Sequence, residues 1–178
     1  MTSVPSDAIQ IAALLTARGE TLAVAETTAG GLISAILTEV PGASSWFLGG
    51  ATAYGALAKS RWLGLDAASF GAGGAVSVVA ARLMADAVRS ILGATWAVAE
   101  TGIAGPQTGR RSTKPAGLAY IAIAGPRPLE RALRTGLPGR SENQRSFATA
   151  ALVLLREALE RAPHTPPEPD PRNNPSLG

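Results

Sequence analysis

Short apolar runs that alternate with helix-like segments constrain the fold of this chain more than any other feature. Three runs have the length and composition of buried strands: TLAVAE at 21–26, TWAVAET at 95–101 and GLAYIAIA at 117–124. Segments with helical periodicity flank them, at 6–18, 30–39, 57–63, 76–91 and 142–161. This alternation predicts an α/β domain whose sheet is parallel or mixed and is covered by helices on both faces.

Finer expectations concern the sheet edges and the buried faces of two helices. Residues 47–54 are strand-like, and 130–136 are expected to form an edge strand paired to 117–124 through the Gly125-Pro126 turn. Ser6 is the predicted N-cap of the first helix, which ends at Gly19. The predicted buried residues are Ile9, Leu14 and Leu15 in the first helix, and Val79, Leu83, Met84, Val88 and Ile91 in the helix that starts near Ser77.

The chain has 178 residues, of which 46% are hydrophobic, and this suits the core of one domain. We assign residues 1–162 to that domain and residues 163–178, which are rich in proline and polar residues, to a disordered tail. The first residues lack the pattern of a signal peptide, and no stretch of about 18 apolar residues suggests a membrane span. We therefore expect a cytoplasmic protein with no membrane partner.

Scarce residue types exclude several kinds of chemistry. The absence of cysteine rules out disulfides, a thiolate nucleophile and a cysteine zinc site. The only histidine, His164, lies in the tail, so the domain has neither a Ser-His-Asp triad nor histidine-bound zinc. We expect no metal and no cofactor. The net charge of +3 is spread along the chain apart from Arg110-Arg111, which argues against a nucleic-acid partner.

Lysine is also scarce, since only Lys59 and Lys114 are lysines among 16 basic residues. Arginine cannot release its proton at ordinary pH, so a position that keeps lysine can supply an amine that must do so. Lys59 follows a predicted strand, five residues after Tyr54. If it is desolvated there it can act as a base for a hydroxyl nucleophile; if it is solvated it is an ordinary surface lysine.

Two glycine-containing turns follow predicted strands and are expected side by side at the carboxyl edge of the sheet. The first, ETTAGG at 26–31, offers helix-start N–H groups to an anion and two hydroxyls that can bind a phosphate or act as a nucleophile. The second is TGIAGP at 101–106. Either one can also be a plain structural turn. Glu100 lies inside an apolar run, where it is either a catalytic acid or a side chain that points outward.

Motifs along most of the chain resemble those of one family. AETTAGG at 25–31 looks like AESCTGG, and PGAS at 41–44 with Trp46-Phe47 looks like the next block. The stretch from Gly49-Gly50 through Tyr54 and Lys59 to Leu63-Gly64 looks like the family's GG…TY…K…LG block. GAVS at 74–77 with Met84-Ala85, TGIAGP at 101–106 and KPAG at 114–117 follow in order. From about residue 8 to 160 the chain thus resembles the CinA C-terminal domain family, whose characterised members are nicotinamide mononucleotide deamidases. The resemblance implies a three-layer α/β/α sandwich with a mixed, mostly parallel sheet.

The resemblance also implies an activity and a site. The activity is hydrolysis of nicotinamide mononucleotide to nicotinic acid mononucleotide and ammonia, in pyridine nucleotide salvage, without a metal or cofactor. Thr27 occupies the place of the family's serine nucleophile and Lys59 that of its base, while Ser44, the second choice of nucleophile, and Tyr54 match polar residues of the same pocket. The implied substrate-binding residues are Glu26, Thr28, Gly30, Gly31, Thr101, Gly102, Ala104, Gly105 and Arg145, of which Arg145 would serve the phosphate.

The signature block departs from the family pattern, with Thr27 for serine, Thr28 for cysteine and Ala29 for threonine, and Gln107-Thr108 stand where Asp-Gly is usual. These departures support a second hypothesis, a nucleotide-binding protein of the competence/damage-inducible family without turnover. In both hypotheses the partner is a small-molecule nucleotide. The sequence leaves open whether the chain forms a homo-oligomer.

Overall fold

A five-stranded sheet organises the chain, and a computed structural model describes it for residues 4–106 and 113–163. The strands are β1 (Leu22–Glu26), β2 (Phe47–Thr52), β3 (Trp96–Ile103), β4 (Leu118–Ala124) and β5 (Leu129–Arg134). The helices are α1 (Ser6–Arg18), α2 (Leu32–Thr38), α3 (Ala56–Leu63), α4 (Val78–Leu92) and α5 (Arg140–Arg161). Two 3₁₀ segments, Ala43–Ser45 and Ala68–Gly73, lie in the connections.

The sheet is mixed, with strand order β2-β1-β3-β4-β5. β1 pairs in parallel with both β2 and β3, whereas β4 and β5 form an antiparallel hairpin on the β3 edge. The predicted edge strand after Gly125-Pro126 is confirmed as β5. In the central parallel pair Glu26 is level with Glu100, so the segments that follow β1 and β3 start at the same edge of the sheet.

The two faces of the sheet carry side chains of different size. Leu22, Val24, Trp96 and Val98 face a core shared with α1, α2 and α5. The residues between them are alanines, which pack with Met84 and its neighbours on α4. Small side chains allow α4 to pack closely on the sheet, so helices cover both faces, as predicted.

The predicted helix faces were partly wrong, because the buried stripes are built largely from alanine. In α1 the buried residues are Ala8, Ile11, Ala12 and Leu15, whereas Ile9 is 53% exposed. In α4 the buried stripe is Ala80, Ala81, Met84, Ala85 and Val88, which leaves Val79 and Ile91 exposed.

The predicted helix ends agree with the structure better than the predicted buried faces do. Ser77 caps α4 by accepting a hydrogen bond from the Ala80 N–H, and Gly19 ends α1 in the left-handed conformation. Ser6 is not a cap, because α1 begins at this residue and Pro5 precedes it.

No helix within residues 4–106 and 113–163 is long and apolar enough to cross a membrane. The predicted disordered tail, apart from Pro163, lies outside the described residues, as do His164, Arg110-Arg111 and Gln107-Thr108.

Candidate active site

A cavity of about 680 Å³ opens at the carboxyl edge of β1 and β3. The two predicted turns meet there: Thr27 and Thr28 follow β1, and Thr101 and Gly102 end β3. α3, the 3₁₀ segment Ala68–Gly73 and the start of α5 contribute the remaining walls. The cavity is within the volume range of small-molecule sites, and it lies where ligands bind in open α/β sheets. Of the predicted site residues it gathers Thr27, Thr28, Tyr54, Lys59, Thr101, Gly102, Ala104 and Gly105.

The two adjacent threonine hydroxyls have different roles in the hydrogen-bond network. Thr28 Oγ1 donates to the Gly102 carbonyl at 2.7 Å and accepts from the Gly102 N–H at 3.0 Å. A hydroxyl has only one hydrogen to donate. In the 3.2 Å contact between the two hydroxyls Thr27 is therefore the donor, and Thr28 Oγ1 is saturated. Among the described residues no group donates to Thr27 Oγ1, so its lone pairs can act on a ligand in the cavity.

Lys59 is buried, with 5% of its surface exposed. Its ammonium nitrogen donates to the Ala53 carbonyl at 2.7 Å and to the Tyr54 carbonyl at 3.0 Å. Burial lowers the pKa of Lys59, and the nearby Glu100 carboxylate opposes that effect. A neutral amine has two N–H groups and one lone pair. The two carbonyls match those N–H groups, and the third position on Nζ has no other protein partner within the described residues.

Glu100 does not point outward: it is fully buried below the turn that carries Thr27. Its Oε2 accepts the Thr27 N–H at 3.2 Å and the Ala29 N–H at 2.9 Å. Its Oε1 is buried and has no hydrogen-bond partner among the described residues. Desolvation raises the pKa of Glu100 to about 7, although the bonds from these N–H groups favour the charged form.

Glu26 is equally buried, and it occupies the start of α2. Its Oε2 accepts the N–H groups of Gly31 (2.8 Å) and Ile33 (3.2 Å), and its Oε1 accepts both the N–H (3.1 Å) and the hydroxyl (2.8 Å) of Ser34. The Gly30 N–H bonds to the Thr27 carbonyl instead. The expectation that Gly30 and Gly31 present free N–H groups to a bound anion is therefore wrong, since the chain's own groups occupy them.

The mouth of the cavity carries a tyrosine–arginine pair. Arg140, the first residue of α5, donates to the Gly105 carbonyl at 3.0 Å and to the Tyr54 hydroxyl at 2.9 Å. Tyr54 is 60% exposed, and its own O–H hydrogen stays available because the phenol accepts from Arg140. The guanidinium has five N–H groups, so the remaining ones can bind an anion at the cavity mouth.

Two predicted site residues lie away from this cavity. Ser44 is exposed in the 3₁₀ segment that precedes β2. Because β2 runs parallel to β1, Ser44 lies at the amino edge of the sheet, opposite the cavity. Arg145 is exposed and is two residues beyond the buried Asn143, which places the two on opposite sides of α5. Neither residue joins the group formed by Thr27, Lys59 and Tyr54.

Sequence reasoning also missed residues that line the cavity or support it. Arg140 and Asp66 line the cavity. Asn143 donates to the Ala104 carbonyl at 2.8 Å, and Gln144 donates to the Thr28 carbonyl at 2.9 Å, so α5 holds both turns. The Pro138-Gly139 pair was a signal that α5 starts at Arg140 rather than at residue 142.

No group of three or more metal-ligating side chains occurs in the described part of the chain. Fold and site together define an α/β sandwich domain that brings a threonine hydroxyl and a buried lysine into one cavity at the carboxyl edge of its parallel strands. The chain belongs to the CinA C-terminal domain family, whose sequence model matches residues 6–159.

Relatives and solved structures agree with this membership. A CinA-like protein of Synechococcus elongatus is 46% identical over 153 residues, which cover 84% of this chain and 36% of that protein. A CinA-like protein of Acaryochloris marina is 48% identical over 148 residues, covering 82% of this chain and 35% of the relative. The chain thus spans about a third of the length of these curated relatives.

Among solved structures, the competence/damage inducible protein CihA of Agrobacterium tumefaciens is 34% identical, with a TM-score of 0.78 over 90% of this chain and 100% of that one. The competence damage-inducible protein A (ComA) of Klebsiella pneumoniae has a TM-score of 0.82 over 90% of this chain and 99% of that one, at 24% identity, and therefore supports the fold alone.

Proposed function

We propose that the chain is an amidohydrolase that converts nicotinamide mononucleotide to nicotinic acid mononucleotide and ammonia. The observation that carries the proposal is Lys59, a buried amine of lowered pKa that shares a cavity with the Thr27 hydroxyl. A hydroxyl paired with a neutral lysine can cleave an amide without histidine or metal. The family resemblance supplies the substrate.

In the proposed reaction the Thr27 hydroxyl turns its hydrogen from Thr28 Oγ1 to Lys59 Nζ, which takes the proton while Thr27 Oγ1 attacks the carboxamide carbon. The tetrahedral intermediate collapses to an ester on Thr27, and the lysine returns the proton to the leaving nitrogen, which departs as ammonia. Water, activated by the same amine, then hydrolyses the ester and releases the acid. Neutral Lys59 suits both steps, because its lone pair is the position that the Ala53 and Tyr54 carbonyls leave free.

Stabilisation of the oxyanion must come from outside the turn at 26–31, because its N–H groups bond to Glu26, to Glu100 and, at Gly30, to the Thr27 carbonyl. The Tyr54 hydroxyl, which accepts from Arg140, is one donor on the cavity wall that can serve the oxyanion. The remaining N–H groups of Arg140 suit the substrate phosphate, the role that the resemblance gave to Arg145.

A second candidate function is nucleotide binding without turnover. The observation that favours it is the same occupied turn, because a hydrolase usually relies on backbone N–H groups for its oxyanion. The β-methyl of Thr27, which restricts χ1 and crowds the attacking oxygen, points the same way.

The test is ammonia and nicotinic acid mononucleotide release from nicotinamide mononucleotide by the purified chain. Lys59→Arg and Thr27→Ala should each lower kcat by about 10²–10⁴-fold while the chain still binds the mononucleotide by calorimetry. Arg61→Gln, on the exposed side of the same helix as Lys59, is the matched control and should leave kcat unchanged. Thr27→Ser should keep or raise the rate. Binding without ammonia release by the wild type would refute the hydrolase and establish the binding protein.

A further inference from the structure

The main chain of Thr27 is fixed, and the torsion χ1 decides where its hydroxyl lies. The Thr27 N–H donates to the Glu100 carbonyl at 3.1 Å and to the Glu100 carboxylate at 3.2 Å. Rotation about χ1 exchanges the hydroxyl with the methyl group or the hydrogen on Cβ, so only one staggered position leaves Oγ1 where the structure has it. Among the described residues the hydroxyl makes one hydrogen bond, and its partner is the hydroxyl of Thr28.

Thr28 is itself held from two sides. Its Oγ1 donates to the Gly102 carbonyl and accepts from the Gly102 N–H, so both bonds tie it to the end of β3. Its backbone carbonyl accepts from the Gln144 side chain at 2.9 Å, which ties it to α5. A Cβ at Gly102 would lie 2.7 Å from the Leu118 carbonyl oxygen, so the partner backbone is closely packed against β4. The Thr28 hydroxyl is therefore a fixed acceptor beside a side chain that has one free torsion.

We propose that Thr28 is a positioning residue: its hydroxyl holds Thr27 in the χ1 rotamer of the structure, in which Oγ1 can act on a ligand in the cavity. The contact of 3.2 Å is longer than the usual hydroxyl–hydroxyl distance of about 2.7–2.8 Å, so the hydrogen can leave Thr28 at little cost. Turning it toward Lys59 needs only rotation about the Cβ–Oγ1 bond, which leaves Oγ1 in place. The consequence for turnover rests on the function proposed above, whereas the rotamer does not.

The rotamer can be measured without substrate. In protein labelled with ¹³C and ¹⁵N, the three-bond couplings from a threonine methyl carbon to the backbone nitrogen and carbonyl carbon report χ1. Thr27→Ser identifies the Thr27 methyl signal by removing it. Wild type and Thr28→Ser, which both have a hydroxyl at position 28, should show the couplings of a single Thr27 rotamer. Thr28→Val has a similar shape and no acceptor, so the Thr27 couplings should become averaged.

A matched control separates positioning from a loss of stability. The Thr95 hydroxyl accepts from the Thr21 N–H at 3.2 Å, where the chain enters β3 and β1 at the opposite edge of the sheet. Thr28→Val and Thr95→Val should both lower the urea midpoint, because each leaves a backbone N–H without its acceptor. Only Thr28→Val should change the χ1 couplings of Thr27.

Turnover provides a second measurement. Thr28→Val should lower kcat by about five- to tenfold, the effect of losing one neutral hydrogen bond, with KM unchanged. Thr28→Ser should restore kcat, and Thr95→Val should leave it unchanged. In a Thr27→Ala background Thr28→Val should cause no further loss, because the hydroxyl that it positions is gone. If the wild type releases no ammonia, the proposed function fails, and the couplings still decide the role of Thr28.

The wild-type protein alone can overturn the proposal, even if Thr28→Val does not fold. Averaged couplings for Thr27 in the wild type would show that no contact holds its rotamer. Identical single-rotamer couplings in wild type and Thr28→Val would overturn it as well, because packing alone would then fix the side chain.

Discussion

The substitution Glu100→Gln should raise the free energy of unfolding relative to the wild type more at pH 8 than at pH 4. At pH 8 the wild-type carboxylate is charged and buried, which is costly, whereas glutamine is uncharged at both pH values. Burial raises the pKa of Glu100 from 4.5 to about 7. Between these values the folded chain binds a proton that the unfolded chain has lost. The contribution of Glu100 to the free energy of unfolding is therefore fully present below pH 4.5 and is lost as the pH rises through 7.

The size of the effect follows from the same two values. Each pKa unit corresponds to about 1.4 kcal/mol, so the rise from 4.5 to about 7 corresponds to about 3 kcal/mol. Glu100 is fully buried, so solvent does not reduce this figure. Glutamine has the same shape and no charge, so the variant should gain about 3 kcal/mol on the wild type between pH 4 and pH 8.

The assay is urea unfolding of both proteins at half-unit pH steps from 4 to 8, with the difference in unfolding free energy plotted against pH. Lys59 contributes the opposite slope at pH values above its lowered pKa in the folded chain, because there the folded chain has released a proton that the unfolded chain keeps. The pair is therefore also compared in a Lys59→Met background. A difference that is flat across this pH range in both backgrounds would refute the argument, since it would mean that Glu100 ionises alike in the folded and unfolded chains.

Three further predictions concern two residues next to the site, Gly102 and Glu26, and the effect of removing metal ions. Gly102→Ala should destabilise the protein by about 1–3 kcal/mol, because a Cβ there would lie 2.7 Å from the Leu118 carbonyl oxygen, and equal urea midpoints would contradict this. Glu26→Gln should cost about 1.5–3 kcal/mol at pH 7, because an amide cannot accept on both sides as the carboxylate does at the start of α2; an unchanged melting temperature would argue against this capping role. Chelation with EDTA should leave any ammonia release intact, whereas loss that a divalent ion restores would exclude the Thr27–Lys59 mechanism.

Sequence patterns located the strands well and the helix faces poorly. The runs at 21–26 and 117–124 match β1 and β4 to within one residue, because turns and polar residues bound them on both sides. Hydropathy alone could not tell the faces apart, since both faces of the central strands are buried. The alternation of large side chains with alanine did contain that information: alanine marks the face where α4 packs, and the same residue fills the buried stripes of α1 and α4.

For the candidate site, too, sequence patterns predicted some features and missed others. The rule that strand ends meet at one edge brought Thr27 and Thr28 next to Gly102, and the contact between Thr28 and Gly102 confirms it. The hydrogen-bond partners of the buried carboxylates could not be predicted. Glu100 accepts from the Thr27 and Ala29 N–H groups, which lie 71 to 73 positions away along the chain, and no local pattern connects residues so far apart. Arg140 was missed because a two-residue error in the start of α5 moved it out of the helix that presents it.

The two buried carboxylates restrict how a nucleotide can lie in this cavity. Glu26 and Glu100 occupy the turn N–H groups that would otherwise attract an anion, and when ionised they add negative charge behind the turn that carries Thr27. A phosphate is therefore disfavoured there and favoured at the exposed guanidinium of Arg140. With the phosphate at the mouth, the other end of nicotinamide mononucleotide, the pyridinium ring with its carboxamide, would point inward, toward Thr27 and Lys59. The chain's own carboxylates, which repel the phosphate and attract the cationic ring, would thus direct the carboxamide of the proposed substrate toward the nucleophile, the orientation that the proposed hydrolysis requires.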